Sequence, residues 1–120
     1  MNPALRRAVF FLLPVAPAKF ETSPAGDGII SRSDDGHCIH VWKSELGYIL
    51  EITEPAGWTN ASREDEESGT MFLKELPTLH NKVINILMKT AGWSLENLNS
   101  LGTEIGLATR STRYKIDFNE

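Results

Sequence analysis

Three side chains that can bind a metal or act in catalysis lie in one short stretch, at His37, Cys38 and His40. If this stretch is a strand, Cys38 and His40 project from one face and His37 projects from the other. A cysteine and a histidine on one face can bind the same metal ion, or can pair as a nucleophile and its base. One hypothesis is therefore a small metal- or Cys/His-dependent enzyme centred on Cys38 and His40.

Neither chemistry is complete within this stretch. A metal site needs a further ligand, which His80 on a predicted helix would have to supply. A nucleophilic pair needs an orienting group and oxyanion donors, and no glycine-rich turn of the nucleophile-elbow type surrounds Cys38. The chain also contains neither a Walker pattern nor a G-x-G-x-x-G pattern. We therefore expect a protein with no catalytic residue, no metal and no cofactor.

The densest charge in the chain is a run of four carboxylates, which consists of Glu64, Asp65, Glu66 and Glu67. This acidic run lies in a segment from Trp58 to Gly69 that is rich in Asn, Ser and Gly, and such a composition predicts an exposed loop. Trp58 is close to the run, and tryptophan is enriched at the energetic centres of interfaces. Trp58 and the acidic run together predict a contact surface for a basic protein partner.

The charge balance narrows the classes of partner. The chain of 120 residues has 16 acidic and 12 basic residues and a net charge of −4, whereas proteins that bind nucleic acid are normally basic. No apolar run approaches the ~18 residues that a membrane span requires. We expect neither nucleic acid nor a membrane as a partner. Cys38 is the sole cysteine, which excludes an intramolecular disulfide and agrees with a reducing, cytoplasmic location.

A second alternative concerns DNA. Residues 91–98 resemble the turn and second helix of a repressor-type helix-turn-helix, and Arg110 and Arg113 follow later in the chain. The resemblance implies a DNA-binding regulator. A recognition helix is poorly supported, however, because Gly106 and a strand-like alternation stand where it should be.

The elements that position these residues follow from the hydrophobic pattern. A three-strand antiparallel meander is predicted over Ile29–Arg32, His37–Lys43 and Tyr48–Thr53, with turns at 34–36 and 44–47. A final strand from Thr112 to Phe118 alternates strictly between apolar and polar residues. A long helix is indicated by apolar residues at a spacing of 3.6, namely Leu76, Leu79, Val83, Ile86 and Leu87. Ser94 can cap a shorter helix with Leu95, Leu98 and Leu101 on one side.

The segment from Arg6 to Ala18 fits two interpretations. Its basic start, short apolar middle and small-x-small exit are those of a secretory signal, which would place the mature protein in the periplasm or outside the cell. A short apolar run that ends at a proline, here Pro14, also fits a buried first strand. We expect the strand, with the cleaved signal as the alternative.

Together these elements predict one α+β domain over residues 1–120. It has a mostly antiparallel sheet of four to five strands, with one long and one short helix packed on one face. Trp42 and Trp93 are expected to pack between the sheet and the helices. The function that these observations favour is a non-catalytic inhibitor, such as an immunity protein that neutralises a basic bacterial toxin, for example a nuclease.

Overall fold

The computed structural model describes residues 2–24, 26–55, 58–60, 71–73, 79–99, 104–105 and 109–119. Its helical segments are α1 (Pro3–Leu12), which ends in a 3-10 turn (Leu13–Val15), and α2 (Leu79–Asn85), which continues as a π-helical turn (Ile86–Thr90). The strands are β1 (Glu21–Thr22), β2 (Gly28–Arg32), β3 (Cys38–Ser44), β4 (Gly47–Pro55), β5 (Trp58–Asn60), β6 (Met71–Leu73), β7 (Ser94–Asn97), β8 (Glu104–Ile105) and β9 (Thr109–Asp117).

Seven of the described strands form one antiparallel sheet in the order β1-β2-β3-β4-β9-β7, with β8 also paired to β9. This arrangement confirms the predicted α+β class. The sheet has more strands than the four to five predicted, because the short strands β1, β7 and β8 extend it at its edges. The strands β5 and β6 pair with each other as a separate hairpin.

The predicted meander and the predicted final strand are both confirmed. Strands β2, β3 and β4 are antiparallel neighbours, and their register places Ile39 opposite Ile52 and Val41 opposite Leu50. The turn between β2 and β3 needs a left-handed residue, which Gly36 supplies with a φ of 97°. Strand β4 then pairs with β9 along its whole length.

Because side chains alternate along a strand, the sheet has two distinct faces. The inner face packs against α1 and α2, and it carries the buried residues Ile29, Ile39, Val41, Leu50, Ile52 and Ile116. The outer face carries the alternate residues, which on β3 are Cys38, His40 and Trp42. The hydrophobic core therefore lies between the inner face and the two helical segments.

The predicted first strand is wrong, since Pro3–Leu12 is helical. Asn2 caps this helix through its side-chain oxygen, which accepts a hydrogen bond of 2.8 Å from the backbone N–H of Leu5, and Pro3 occupies the first turn. Leu5, Ala8 and Leu12 are buried on one side of α1. Residues three or four positions apart lie on the same side of a helix, so these three residues form one buried stripe along α1.

The predicted long helix is confirmed over α2 and its π-helical continuation, where Leu79, Val83 and Leu87 are buried. Leu76 lies outside the described residues. The predicted short helix is wrong over Ser94–Asn97, which is strand β7. Gly92 ends the π-helical turn with a φ of 73°, and the next residues pair with β9, where Leu95 lies opposite Ile116. Pairing with a long strand outweighs the weak local signal for a helix.

Glu54, a buried carboxylate at the end of β4, joins three elements. Its Oε1 accepts hydrogen bonds from Nε and Nη2 of Arg110 on β9, at 3.2 and 2.9 Å. Its Oε2 accepts a hydrogen bond of 3.1 Å from the backbone N–H of Leu79 at the start of α2. Glu54 therefore holds α2 at its position over the sheet and neutralises Arg110.

The two tryptophans outside the β5–β6 hairpin lie on opposite sides of the sheet. Trp93 is buried, and its ring meets those of Phe11 and Phe118 edge to face at 5.4 and 4.6 Å, which confirms its predicted packing. The prediction for Trp42 is wrong, because Trp42 shares the outer face with His40. In the part of the chain that the structure describes, no helix is both long and apolar enough to cross a bilayer.

Candidate binding surface

The outer face of β3 presents a row of three half-buried side chains, Cys38, His40 and Trp42. The alternation of β3 turns Ile39 and Val41 into the core, so these three residues must point the other way. The His40 and Trp42 rings lie against each other, with centroids 4.4 Å apart and planes inclined by 33°. The prediction that Cys38 and His40 share a face is therefore confirmed.

The row is fixed by a turn that packs against it. Nε2 of His40 lies 2.7 Å from Oγ of Ser23, and Ser23 is only 3% exposed. Gly28 lets the chain approach this closely, since a Cβ there would come within 2.9 Å of the Cβ atoms of both Ser23 and Trp42. A glycine is therefore required at position 28, and the imidazole of His40 is held in one orientation.

Burial sets the protonation of both ionisable groups in the row. Burial lowers the pKa of His40, and nearby Glu51 opposes part of that shift. Burial also raises the pKa of Cys38, with Glu51 adding to the shift and Arg32 opposing it. At neutral pH the imidazole is therefore neutral and Cys38 is a thiol. A raised thiol pKa is the opposite of what a nucleophilic cysteine needs.

Neighbouring strands continue the outer face on one side of the row. Ile49 on β4 lies between Trp42 and Lys115 in the register of the sheet and is only 5% exposed. Next to it, Oε2 of Glu51 accepts a hydrogen bond of 2.5 Å from Nε of Arg113. The Glu51–Arg113 pair and Lys115 add a charged margin to the row.

His80 does not join Cys38 and His40, because it lies on α2 over the inner face. Nε2 of His80 is 2.7 Å from the hydroxyl of Tyr114, whose ring stacks against it at 5.8 Å. The sheet thus separates His80 from the row on β3. Among the described residues, no three His, Cys, Asp or Glu side chains are grouped so that they could hold a metal ion.

The helix-turn-helix expected over residues 91–98 and beyond is also wrong. The described residues there form strands β7 and β9. The basic residues at the end of the chain are divided between the faces, since Arg110 pairs with Glu54 on the inner face whereas Arg113 lies on the outer face. They do not form one basic patch.

The predicted contact residues fall largely outside the described part of the chain. Glu64, Asp65, Glu66 and Glu67 lie outside it, in the connection between β5 and β6. Trp58 begins β5 and pairs in register with Leu73. The loop prediction is therefore wrong for Trp58–Asn60, which is a strand.

Sequence reasoning missed Ser23, Trp42 and Glu51 as parts of this surface. The signal for Trp42 was available, since it continues the alternation of Cys38 and His40 on a predicted strand. No sequence signal indicated Ser23, because its contact with His40 depends on the turn that folds back at Gly28.

Comparison of the chain with protein-family models, with curated proteins and with solved structures finds no match. What the surface does must therefore be argued from its residues.

Proposed function

We propose that this chain is a non-catalytic protein-binding protein that neutralises a basic partner, in the manner of an immunity protein acting on a bacterial toxin such as a nuclease. The observation that carries the proposal is the outer face of the sheet, where Trp42 and His40 form a fixed aromatic pair. The lone thiol of Cys38 fits a reducing compartment, and we propose the cytoplasm as the location.

The composition of the outer face supports binding to a protein. Interfaces place aromatic and apolar side chains at the centre and charged ones at the rim. Trp42 supplies such a centre here, and the Glu51–Arg113 pair and Lys115 supply such a rim. Tryptophan and arginine are also the residues that most often dominate binding energy.

The rigidity of the outer face supports affinity. A side chain that is already fixed before binding loses little conformational entropy when the complex forms. The hydrogen bond to Ser23 and the stacking on Trp42 fix His40, and strands β2 and β4 flank β3 on both sides. The surface is thus prepared for contact without reorganisation.

The acidic run supports a basic partner. Strand β4 ends at Pro55, β5 spans Trp58–Asn60, and the acidic run follows β5 along the chain. A concentrated negative charge accelerates encounter with a positively charged protein and disfavours acidic ones.

The test begins with affinity capture from the native source, which uses the full chain as bait. The association rate of the purified partner is then measured at low and high salt for the wild type and for E64K/D65K/E66K/E67K. We expect the variant to associate at least about tenfold more slowly at low salt and to lose most of its salt dependence.

A matched control separates the acidic run from overall charge. The variant D27K/D34K/D35K/E45K reverses the same number of carboxylates at exposed turn positions elsewhere. We expect it to slow association much less. Equal slowing by both variants would show that only the net charge matters, and unchanged binding by the run variant would refute the proposed role of the acidic run.

A further inference from the structure

The two helical segments share a solvent-facing surface opposite the sheet. Each segment turns its buried residues towards the inner face, and α1 packs beside the π-helical turn. We call this the helical surface. Large apolar side chains project from it at Phe10, Leu13 and Met88, which are 74%, 60% and 51% exposed. Exposed apolar side chains of this size are candidates for contact with a partner.

The charge of the helical surface is opposite to that of the whole chain. Residues 3–18 and 79–90 contain Arg6, Arg7, Lys82 and Lys89 and no aspartate or glutamate, although the chain has 16 acidic residues and a net charge of −4. Such segregation creates a local positive potential that attracts an acidic ligand.

A depression of about 380 Å³ on α2 gives the helical surface a shape that can receive a side chain. Ile84 and Met88 supply apolar lining, and Lys89 supplies an ammonium group. Asn81 and Asn85 add amide groups, which can both donate hydrogen bonds to a polypeptide backbone and accept them from it. Methionine adapts its shape to an inserted apolar group.

We infer that the helical surface is a docking site for an acidic protein segment that inserts an apolar side chain into the depression on α2 and places carboxylates against Lys82 and Lys89. A lipid surface would also meet the positive charge, but it has no single side chain to fill the depression and no backbone to pair with the two asparagines. The observations therefore favour a protein segment, in a helix-in-groove type of contact. This site is separate from the outer face of the sheet.

The test selects peptides of 12 random residues displayed on phage against the full chain, and then titrates the most enriched acidic peptide by fluorescence anisotropy. We expect the enriched peptides to combine aspartate or glutamate with a large apolar residue. K82E/K89E and M88S should each weaken binding at least tenfold. K43E/K115E, which reverses two exposed lysines outside the helical surface, should change binding less than twofold.

Several outcomes would overturn the inference. Enrichment of neutral or basic peptides alone would do so, and so would equal weakening by K43E/K115E. Binding to phosphatidylserine vesicles without binding to any acidic peptide would assign the helical surface to a membrane instead. A dimer on size exclusion that K82E/K89E dissociates would assign it to a second copy of the chain. If only basic peptides are enriched and E64K/D65K/E66K/E67K abolishes their binding, the result supports the proposed role of the acidic run. The same result contradicts a docking site on the helical surface.

Discussion

Two glutamate–arginine pairs join β4 to β9, and they lie on opposite faces of the sheet. Glu54 pairs with Arg110 on the inner face, where the side chains are 5% and 20% exposed. Glu51 pairs with Arg113 on the outer face, where the exposed fractions are 21% and 50%. The two pairs have the same residue types on the same strands but differ in burial. Their comparison therefore measures how burial changes the stability that an ion pair contributes.

We predict that E54Q lowers the free energy of unfolding by about 3 kcal/mol, because Arg110 is left partly buried without a counter-charge. E51Q should cost less than about 1 kcal/mol, since water screens the exposed pair. Urea denaturation of both variants measures the difference. Equal losses would mean that burial does not distinguish the pairs.

His40 gives the fold a pH dependence of defined sign. Its pKa is lowered in the folded chain, chiefly by burial, so the unfolded chain binds the proton more tightly. We predict that the free energy of unfolding falls as the pH drops below about 6.5, the value for an unperturbed histidine. Denaturation series from pH 7.5 to 5 should show a shallower slope for H40Q than for the wild type. An identical slope in H40Q would contradict the assignment.

At the scale of elements, α1 is the part of the fold that the sequence pattern left open. An apolar run of this length can be a strand, a signal or a helix, and only the spacing of Leu5, Ala8 and Leu12 with the cap at Asn2 favours the helix. In the structure α1 belongs to the core, since Leu12 is completely buried whereas Phe10 projects into solvent.

We predict that L12A lowers the free energy of unfolding by about 2–5 kcal/mol, because it leaves a cavity under α1. F10A should lower it by no more than about 0.5 kcal/mol, because Phe10 is exposed. The pair is measured by thermal and urea unfolding of the full chain. A small effect of L12A would show that α1 does not contribute to the stability of the core.

The sequence was most informative where a pattern is both local and periodic. The meander, the final strand and α2 follow from alternation, from Asp-Gly turn chemistry and from the spacing of Leu79, Val83 and Leu87. Strand β7 could not be predicted in this way, because Ser94–Asn97 becomes a strand only by pairing with β9. The same limit applies to the outer face, where the contact between Ser23 and His40 depends on tertiary structure.

At the scale of the whole molecule, charge is distributed unevenly along the chain. The helical surface is cationic although the chain is acidic overall, and the acidic run stands in the connection between β5 and β6. The outer face of the sheet carries both signs of charge, with Arg113 and Lys115 beside Glu51. The two proposals together assign partners of opposite charge to separate parts of the chain.

We predict that Trp42 is a dominant contact for the basic partner. W42A should weaken binding by about 2 kcal/mol, as expected for a tryptophan at the centre of an interface. Titration calorimetry with the captured partner measures the loss, and urea denaturation checks that the variant remains folded. S94A, at an exposed position on β7, serves as the control and should bind as the wild type does.

Neutralisation of the partner tests the central claim most directly. The activity of the captured basic protein is measured while the full chain is added up to a molar excess. The account predicts that inhibition is complete near one equivalent for the wild type, and that W42A and E64K/D65K/E66K/E67K need a large excess to reach it. A captured partner that stays fully active when saturated with the wild-type chain would contradict the account.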